Sequence, residues 1–185
     1  FIESLLTQLN SSSVELFAYP TNLIEDELTA RIKPRFASWT PLFNKSDKEA
    51  ARLIHNDGVH ILIDLSGHTA KNRLPIFAWK PAPIQISWLG YWATTGVPEI
   101  DYVLGDPHVT PSQDDDHFTE KVWRLPETRW CFTPPNADVE VSVPPAVNNG
   151  YATFGCFNNV AKVNDEVMAL WTKVLNAIPN SRLLL

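Results

Sequence analysis

Pro81 and Pro83 stand just ahead of the run Ile84-Gln-Ile-Ser-Trp88, and Leu89-Gly90 follows it at once. Each proline fixes φ and lacks an amide donor, so the approach is extended and no helix can pass through it. Residues 84 to 88 then read as a short buried strand, which the glycine breaks. Tyr91 to Gly96 is therefore a loop at a strand's carboxyl end, the place where ligands bind in an open α/β sheet. It carries Thr94 and Thr95 as hydroxyls, and with Trp88 it offers the flat faces of Tyr91 and Trp92.

The flanking sequence supplies the sheet. Ile2, Leu5, Leu6 and Leu9 follow helical spacing, and Asn10 to Ser13 stops that helix before a strand over 14–19. A helix is expected over 25–32, closed by Pro34, and an extended stretch over 39–43. Ser46-Asp-Lys-Glu49 is a capping box that opens a helix running to about Asn56, with Ala50, Leu53 and Ile54 inward and Asp57-Gly58 as its left-handed exit. Val59 to Leu65 is apolar on both faces apart from His60 and Asp64, which predicts a central parallel strand covered by helices on both sides. A helix over 72–79 and strands over 101–105 and 122–125 follow, the last an edge strand because Pro126 ends it. Alternation at these lengths predicts a Rossmann-like parallel α/β sheet.

From Thr133 the character changes, with Pro134, Pro135, Pro144 and Pro145 bracketing acidic and small residues. The expected organisation is a first domain over 1–132, a Pro-rich linker over 133–149, and the start of a second Rossmann-like domain over 150–185. Within the latter, a strand over 152–157, a loop over 158–163, a helix over 165–177 and a strand from Arg182 make one β-loop-α-β unit. Val167, Leu170, Trp171, Val174, Leu175 and Ile178 share one face of that helix. Helix at the first residue and strand at the last suggest a piece of a longer chain.

Composition narrows the class. A net charge of −6 without any Lys/Arg-rich run argues against a nucleic-acid partner. Cys131 and Cys156 are too few and too distant for a disulfide framework or a zinc site, so a reducing, cytoplasmic location is expected. No apolar run approaches the ~20 residues of a membrane span, and no membrane partner is expected. Asp114-Asp-Asp116 mimics an Asp-x-Asp metal site but follows Pro111 in a polar loop, where a solvated acidic run is the simpler reading. Of the five histidines, His60 reads as a core residue, His55, His108 and His117 as surface, and His68 alone is placed like a site residue, just past a strand's carboxyl end. Lys162 lies between a strand and a helix N-terminus, where free amides and the helix dipole favour an anion. On position alone, a solvated surface lysine is the better reading.

The run Asp57-Gly-Val-His-Ile-Leu-Ile-Asp-Leu-Ser-Gly-His-Thr69, then Arg73, Lys80-Pro-Ala-Pro-Ile-Gln85 and Trp88-Leu-Gly-Tyr91, closely resembles the catalytic region of O-GlcNAc transferase and SPINDLY-like enzymes, glycosyltransferase family 41. Phe157-Asn-Asn-Val-Ala-Lys162 and Ile178-Pro-Asn-Ser181 are similar to that family's second catalytic domain, in the same order. The resemblance implies a GT-B fold and transfer of N-acetylglucosamine from UDP-GlcNAc to Ser or Thr of a polypeptide. It also implies a helical-repeat region elsewhere in the full-length protein. Lysines and helix dipoles would replace a metal, so neither metal nor further cofactor is expected. Lys162 matches the diphosphate-contacting lysine, Asn159 a nucleotide-binding position, and Leu89 and Gly90 a backbone lining the sugar pocket. Arg73 matches an arginine near the cleft; His68, Thr94 and Thr95 are further substrate-binding candidates. A valine at Gly90 is expected to fill that pocket with the fold nearly intact. The family's His-Pro motif is not in these residues, so the fragment alone is expected to be inactive. Transfer of fucose or a hexose, a nucleotide-sugar epimerase on the same fold, and an inactive peptide- or nucleotide-binding scaffold remain alternatives.

Overall fold

A computed structural model of the chain describes residues 1–10, 12–134 and 139–185. The contacts divide it into two units, Phe1–Pro134 and Pro135–Leu185. In the first, α1 (Glu3–Gln8), β1 (Phe17–Ala18), α2 (Glu27–Ile32), β2 (Ser38–Trp39) and α3 (Asp47–Asn56) precede β3 (Ile61–Asp64) and α4 (Leu74–Phe77). Then come β4 (Ile84–Ser87), β5 (Tyr102–Gly105) and β6 (Lys121–Arg124). The last four strands form one parallel sheet in the order β3-β4-β5-β6, while β1 and β2 pair separately. All four strands of the larger sheet therefore end on the same side, and the loops leaving them share one rim.

The capping box sets α3. The Ser46 hydroxyl accepts from the Glu49 amide at 3.3 Å while the Glu49 carboxylate accepts from the Ser46 amide at 2.9 Å. Ala50, Ala51 and Ile54 then face a core shared with Leu42, Leu62, Leu74, Ile76, Phe77 and Ile100. Gly58 leaves the helix at φ +70°, the left-handed exit its position predicts.

Two expectations fail at β3. It is an edge of its sheet rather than a central strand, and its residues alternate: Leu62 and Asp64 are buried, Ile61 and Ile63 exposed. Helical cover on one face accounts for this, since only Leu62 joins the core with α3 and α4. His60 consequently stands exposed ahead of the strand instead of in a core, and its carbonyl accepts from the Ile84 amide at 3.3 Å. The expected strand over 14–19 contracts to Phe17–Ala18, the extended stretch over 39–43 to Ser38–Trp39, and the helix over 72–79 to the single turn Leu74–Phe77. β6 is an edge, as Pro126 predicts.

The second unit holds α5 (Pro145–Asn149), β7 (Thr153–Gly155), α6 (Asp165–Ala177) and β8 (Arg182–Leu184), with β7 and β8 parallel. It is the β-loop-α-β unit expected from sequence. Part of the expected linker is thus helical, ended by Gly150 at φ +71°; its residues 135–138 lie outside the described residues. On α6, Val167, Trp171 and Leu175 are half-buried, whereas Leu170, Val174 and Ile178 are exposed.

Candidate functional site

Asp64 ends β3 and shapes the turn after it. Its carboxylate accepts from the amides of Ser66 at 3.1 Å and Gly67 at 2.7 Å, and from the Ser87 hydroxyl of β4 at 3.3 Å. Burial pushes this carboxyl up, and those donors pull against the shift. Gly67, at φ +53°, leaves no room for a Cβ against Tyr91. The turn thereby delivers His68, exposed, to the rim. Its Nε2 lies 3.2 Å from the Thr94 carbonyl and its ring meets the Tyr91 ring edge-on, with centroids 5.3 Å apart. Tyr91 stacks on Trp92 at 4.7 Å, and Trp92 is 62% exposed.

The chain leaving β4 is packed from below. Trp88 is buried and donates from Nε1 to the Arg129 carbonyl at 2.9 Å. Leu89 is buried at φ +71°, an uncommon conformation for a side-chain-bearing residue. A Cβ at Gly90 would land on the Leu65 carbonyl and the Ser66 Cα. That overturns the expectation that valine leaves the fold intact: Gly90 is required by main-chain contact between the loops after β3 and β4.

Thr94 and Thr95 point into the protein rather than away from it. Glu120, just before β6 and only 4% exposed, accepts from the Thr94 hydroxyl at 2.7 Å, from the Thr95 amide at 2.7 Å, and from the Thr95 hydroxyl. Arg129, 1% exposed, donates from Nη2 to the Tyr91 carbonyl at 2.6 Å. Its amide is taken by Asp106 Oδ2 at 2.8 Å, while Asp106 Oδ1 accepts from His108 at 2.9 Å and Val109 at 2.8 Å. The Arg129 amide, with those of Val109 and His108, holds the Asp106 carboxyl below its usual range against the effect of burial.

Glu120, Asp106 and Arg129 escaped sequence reasoning. For Asp106 a signal existed: like Asp64, it stands at the carboxyl end of a strand and accepts from amides two and three residues on.

Arg73 takes a different place. Its guanidinium donates to Asp47 at 2.8 Å and to the carbonyls of Lys45 at 2.9 Å and Leu42 at 3.3 Å. All these bonds run to residues 42–47, none to the His68–Tyr91 rim. A depression of about 490 Å³ lined by Asn44, Lys45, Glu49, Arg52, Leu53, Asn56 and Asp57 lies along α3 and contains none of the candidate residues. Asp114 to Asp116 belong to a 3-10 turn, Ser112–His117, in which Asp115 pairs with Arg124; the run is structural. Among the described residues no three His, Cys, Asp or Glu side chains gather as metal ligands.

In the second unit, Asn159 caps a single 3-10 turn, Val160–Lys162, by accepting from the Ala161 amide at 3.0 Å. Lys162 is exposed at the end of this turn. Two residues later Asn164 caps α6 through the Val167 amide at 2.9 Å. Lys162 thus stands before a helix start, as its sequence position predicts.

This architecture matches a solved structure of a Lys-to-Met mutant of the Thermobaculum terrenum O-GlcNAc transferase. The TM-score is 0.88 at 34% identity, over 99% of this chain and 34% of that one. The fold is therefore α/β of the GT-B glycosyltransferase type. Residues 2–133 match the model of glycosyl transferase family 41, and the chain belongs to that family. It is 39% identical over 187 residues to the probable UDP-N-acetylglucosamine–peptide N-acetylglucosaminyltransferase SPINDLY of Oryza sativa subsp. japonica, and 38% identical over 187 residues to that of Hordeum vulgare. Each match covers 99% of this chain and 20% of the relative. The Arabidopsis thaliana relative named SEC is 34% identical over 183 residues, 94% of this chain and 19% of its own length. The chain thus spans about one fifth of the length of the curated relatives it matches.

Proposed function

We propose that the whole protein transfers N-acetylglucosamine from UDP-GlcNAc to Ser or Thr hydroxyls of a polypeptide. The carrying observation is the match over nearly the entire chain to relatives whose names state a UDP-N-acetylglucosamine–peptide transferase. In this reading the acceptor oxygen bonds to the anomeric carbon as the bond from that carbon to the diphosphate breaks. Lys162 supplies positive charge to the departing diphosphate, next to the α6 N-terminus, and no metal takes part. Asn159 hydrogen-bonds the nucleotide. Leu89 and Gly90 present main chain to the sugar, His68 meets the substrates at the rim, Thr94 and Thr95 shape that rim through Glu120, and Arg73 serves the substrates only through the segment 42–47 that it fastens. The nucleotide sugar and the polypeptide are the partners, and a helical-repeat region belongs to the full-length chain.

A cytoplasmic location suits Cys131 and Cys156, both free. Among the described residues no helix is long and apolar enough to cross a membrane.

Steady-state kinetics on the full-length protein with a Ser/Thr peptide and a panel of nucleotide sugars tests the reading. UDP-GlcNAc should be the preferred donor, and a preference for a GDP- or other UDP-sugar would reassign it. Lys162→Met should lower kcat by roughly 10²–10³ with a smaller rise in donor KM, as when one preorganised donor is removed from an oxyanion site. Arginine should rescue partly, because a planar fork does not replace a compact ammonium. A change in KM alone would make Lys162 a ground-state anchor.

A further inference from the structure

We infer that the buried Glu120 carboxylate fixes which nitrogen of His68 carries the proton, and that His68 Nδ1 accepts a hydrogen bond from a substrate hydroxyl at the rim. The second half rests on the glycosyltransferase reading; the first half stands without it. Glu120 is a positioning residue here, acting through Thr94 and Thr95.

Glu120 fixes the loop with both carboxylate oxygens. Oε1 takes the Thr95 amide and hydroxyl, and Oε2 takes the Thr94 hydroxyl at 2.7 Å. The Thr94 oxygen in turn accepts from the amides of Gly96 and Thr119, each at 3.1 Å. The carboxylate and its two threonines are thus tied to main chain on both sides, and the Thr94 carbonyl has one place to be.

That carbonyl faces His68 Nε2 at 3.2 Å. A carbonyl oxygen has no proton to give, so Nε2 must donate, and in neutral His68 the lone pair is then on Nδ1. The ring is held at this angle by the edge-on Tyr91, whose own carbonyl is fastened by Arg129 at 2.6 Å and whose Cβ packs on Gly67. His68 itself is exposed. The result is a directed acceptor at the carboxyl end of the sheet.

An unprotonated imidazole nitrogen exposed at the rim accepts from water, or from a ligand O–H that displaces the water. In a sugar transfer from nucleotide to polypeptide, hydroxyls supply such an O–H, either on the sugar being moved or on the Ser or Thr receiving it. Both present the same O–H to Nδ1, and kinetics separates them. A rim contact to the donor sugar affects hydrolysis of the nucleotide sugar in the absence of peptide; a contact to the receiving hydroxyl affects peptide transfer alone.

The first measurement needs no substrate. Long-range ¹H–¹⁵N spectra of the ¹⁵N-histidine-labelled chain should show His68 as the Nε2–H tautomer. Glu120→Gln should shift it toward a mixture, because an amide cannot serve all three donors. Thr94→Val, which keeps the carbonyl but removes one Glu120 bond and the acceptor of the Gly96 and Thr119 amides, should give a shift in the same direction and covers the case in which the Glu120 variant does not fold. An Nδ1–H tautomer in the unaltered protein overturns the inference and leaves the Lys162 test untouched.

The second measurement uses the full-length protein. His68→Asn places an amide oxygen near the Nδ1 position and should lose less kcat/KM than His68→Gln. His68→Gln places its amide near Nε2 and should lower kcat/KM roughly tenfold, the loss of one hydrogen bond. Equal activity in both variants overturns the hydroxyl contact. Absence of transfer from any nucleotide sugar, with the tautomer as expected, overturns the proposed function and the contact together but leaves the Glu120 part standing.

Discussion

In the first unit the rim from Trp88 to Thr95 is held by buried groups that arrive from far along the chain. Glu120 is 25 residues from Thr95, and Arg129 is 41 from Trp88 and 38 from Tyr91. In the second unit the turn that carries Lys162 is held by its own neighbours. Asn159 caps two residues ahead and Asn164 three. One candidate region is therefore a product of the tertiary fold, the other of local sequence. Substitutions in the first should spread through the rim, while those in the second should stay where they are made.

The widest expected contrast pairs two glycines. Gly90→Val drives a side chain into the Leu65 carbonyl, main chain that cannot rotate away, so the cost should reach about 3 kcal/mol or more. A Cβ at Gly155, at the end of β7, would meet only the Phe157 ring, at an ordinary contact distance of 3.5 Å or more. Gly155→Ala should change stability by no more than about 0.5 kcal/mol. Thermal denaturation followed by circular dichroism checks both. A folded, stable Gly90→Val protein would mean that the two loops separate easily, and the first unit would then be no stiffer than the second.

What could be read from the sequence follows the same division. The Ser46–Glu49 box and the start of α6 were legible because each is closed within three residues. Gly90 was legible as a strand breaker, but its contact with Leu65 depends on how β3 and β4 lie side by side. The apolar run 59–65 looks central because the sequence cannot reveal that, among the described residues, β3 has a strand neighbour on one side only and helical cover on one face only. Arg73 matched a motif, yet its partners are residues 42–47, which no short pattern connects to it. The family resemblance located the rim. What stabilises the rim lies in Asp106, Glu120 and Arg129, single polar residues in otherwise ordinary loops.

A smaller effect should come from Asp106, which serves two loops with different oxygens. Asp106→Asn can keep Oδ1 for the amides of His108 and Val109, but it turns an NH₂ toward the Arg129 amide. One buried donor loses its acceptor, for about 1–3 kcal/mol. Arg129 Nε and Nη1 already have no partner among the described residues, so this segment has little to spare. The carboxyl sits below its usual range in the folded protein, so its contribution is present above the ordinary aspartate value of 3.8 and is lost as pH falls through the lower folded value. Denaturant melts carried from neutral pH down through the acid range should show destabilisation that weakens in Asp106→Asn. An unchanged acid slope would assign the effect to other carboxylates.

The smallest effect belongs to the second unit. Asn164→Ala removes the side-chain acceptor of the Val167 amide at the start of α6 and should cost about 1 kcal/mol. Asn164→Asp keeps the acceptor and adds a negative charge at the helix N-terminus, so it should be neutral or stabilising by a few tenths of a kcal/mol, although Asp165 and Glu166 already occupy the first turn. Amide hydrogen exchange resolves this locally. Protection should fall in the first turn of α6 in the alanine variant and remain unchanged at the amides of Thr95 and Arg129 in the first unit. Loss of protection at Thr95 or Arg129 would show that the turn is not held by its own caps alone, and the division between a locally built and a tertiary-built region would not stand.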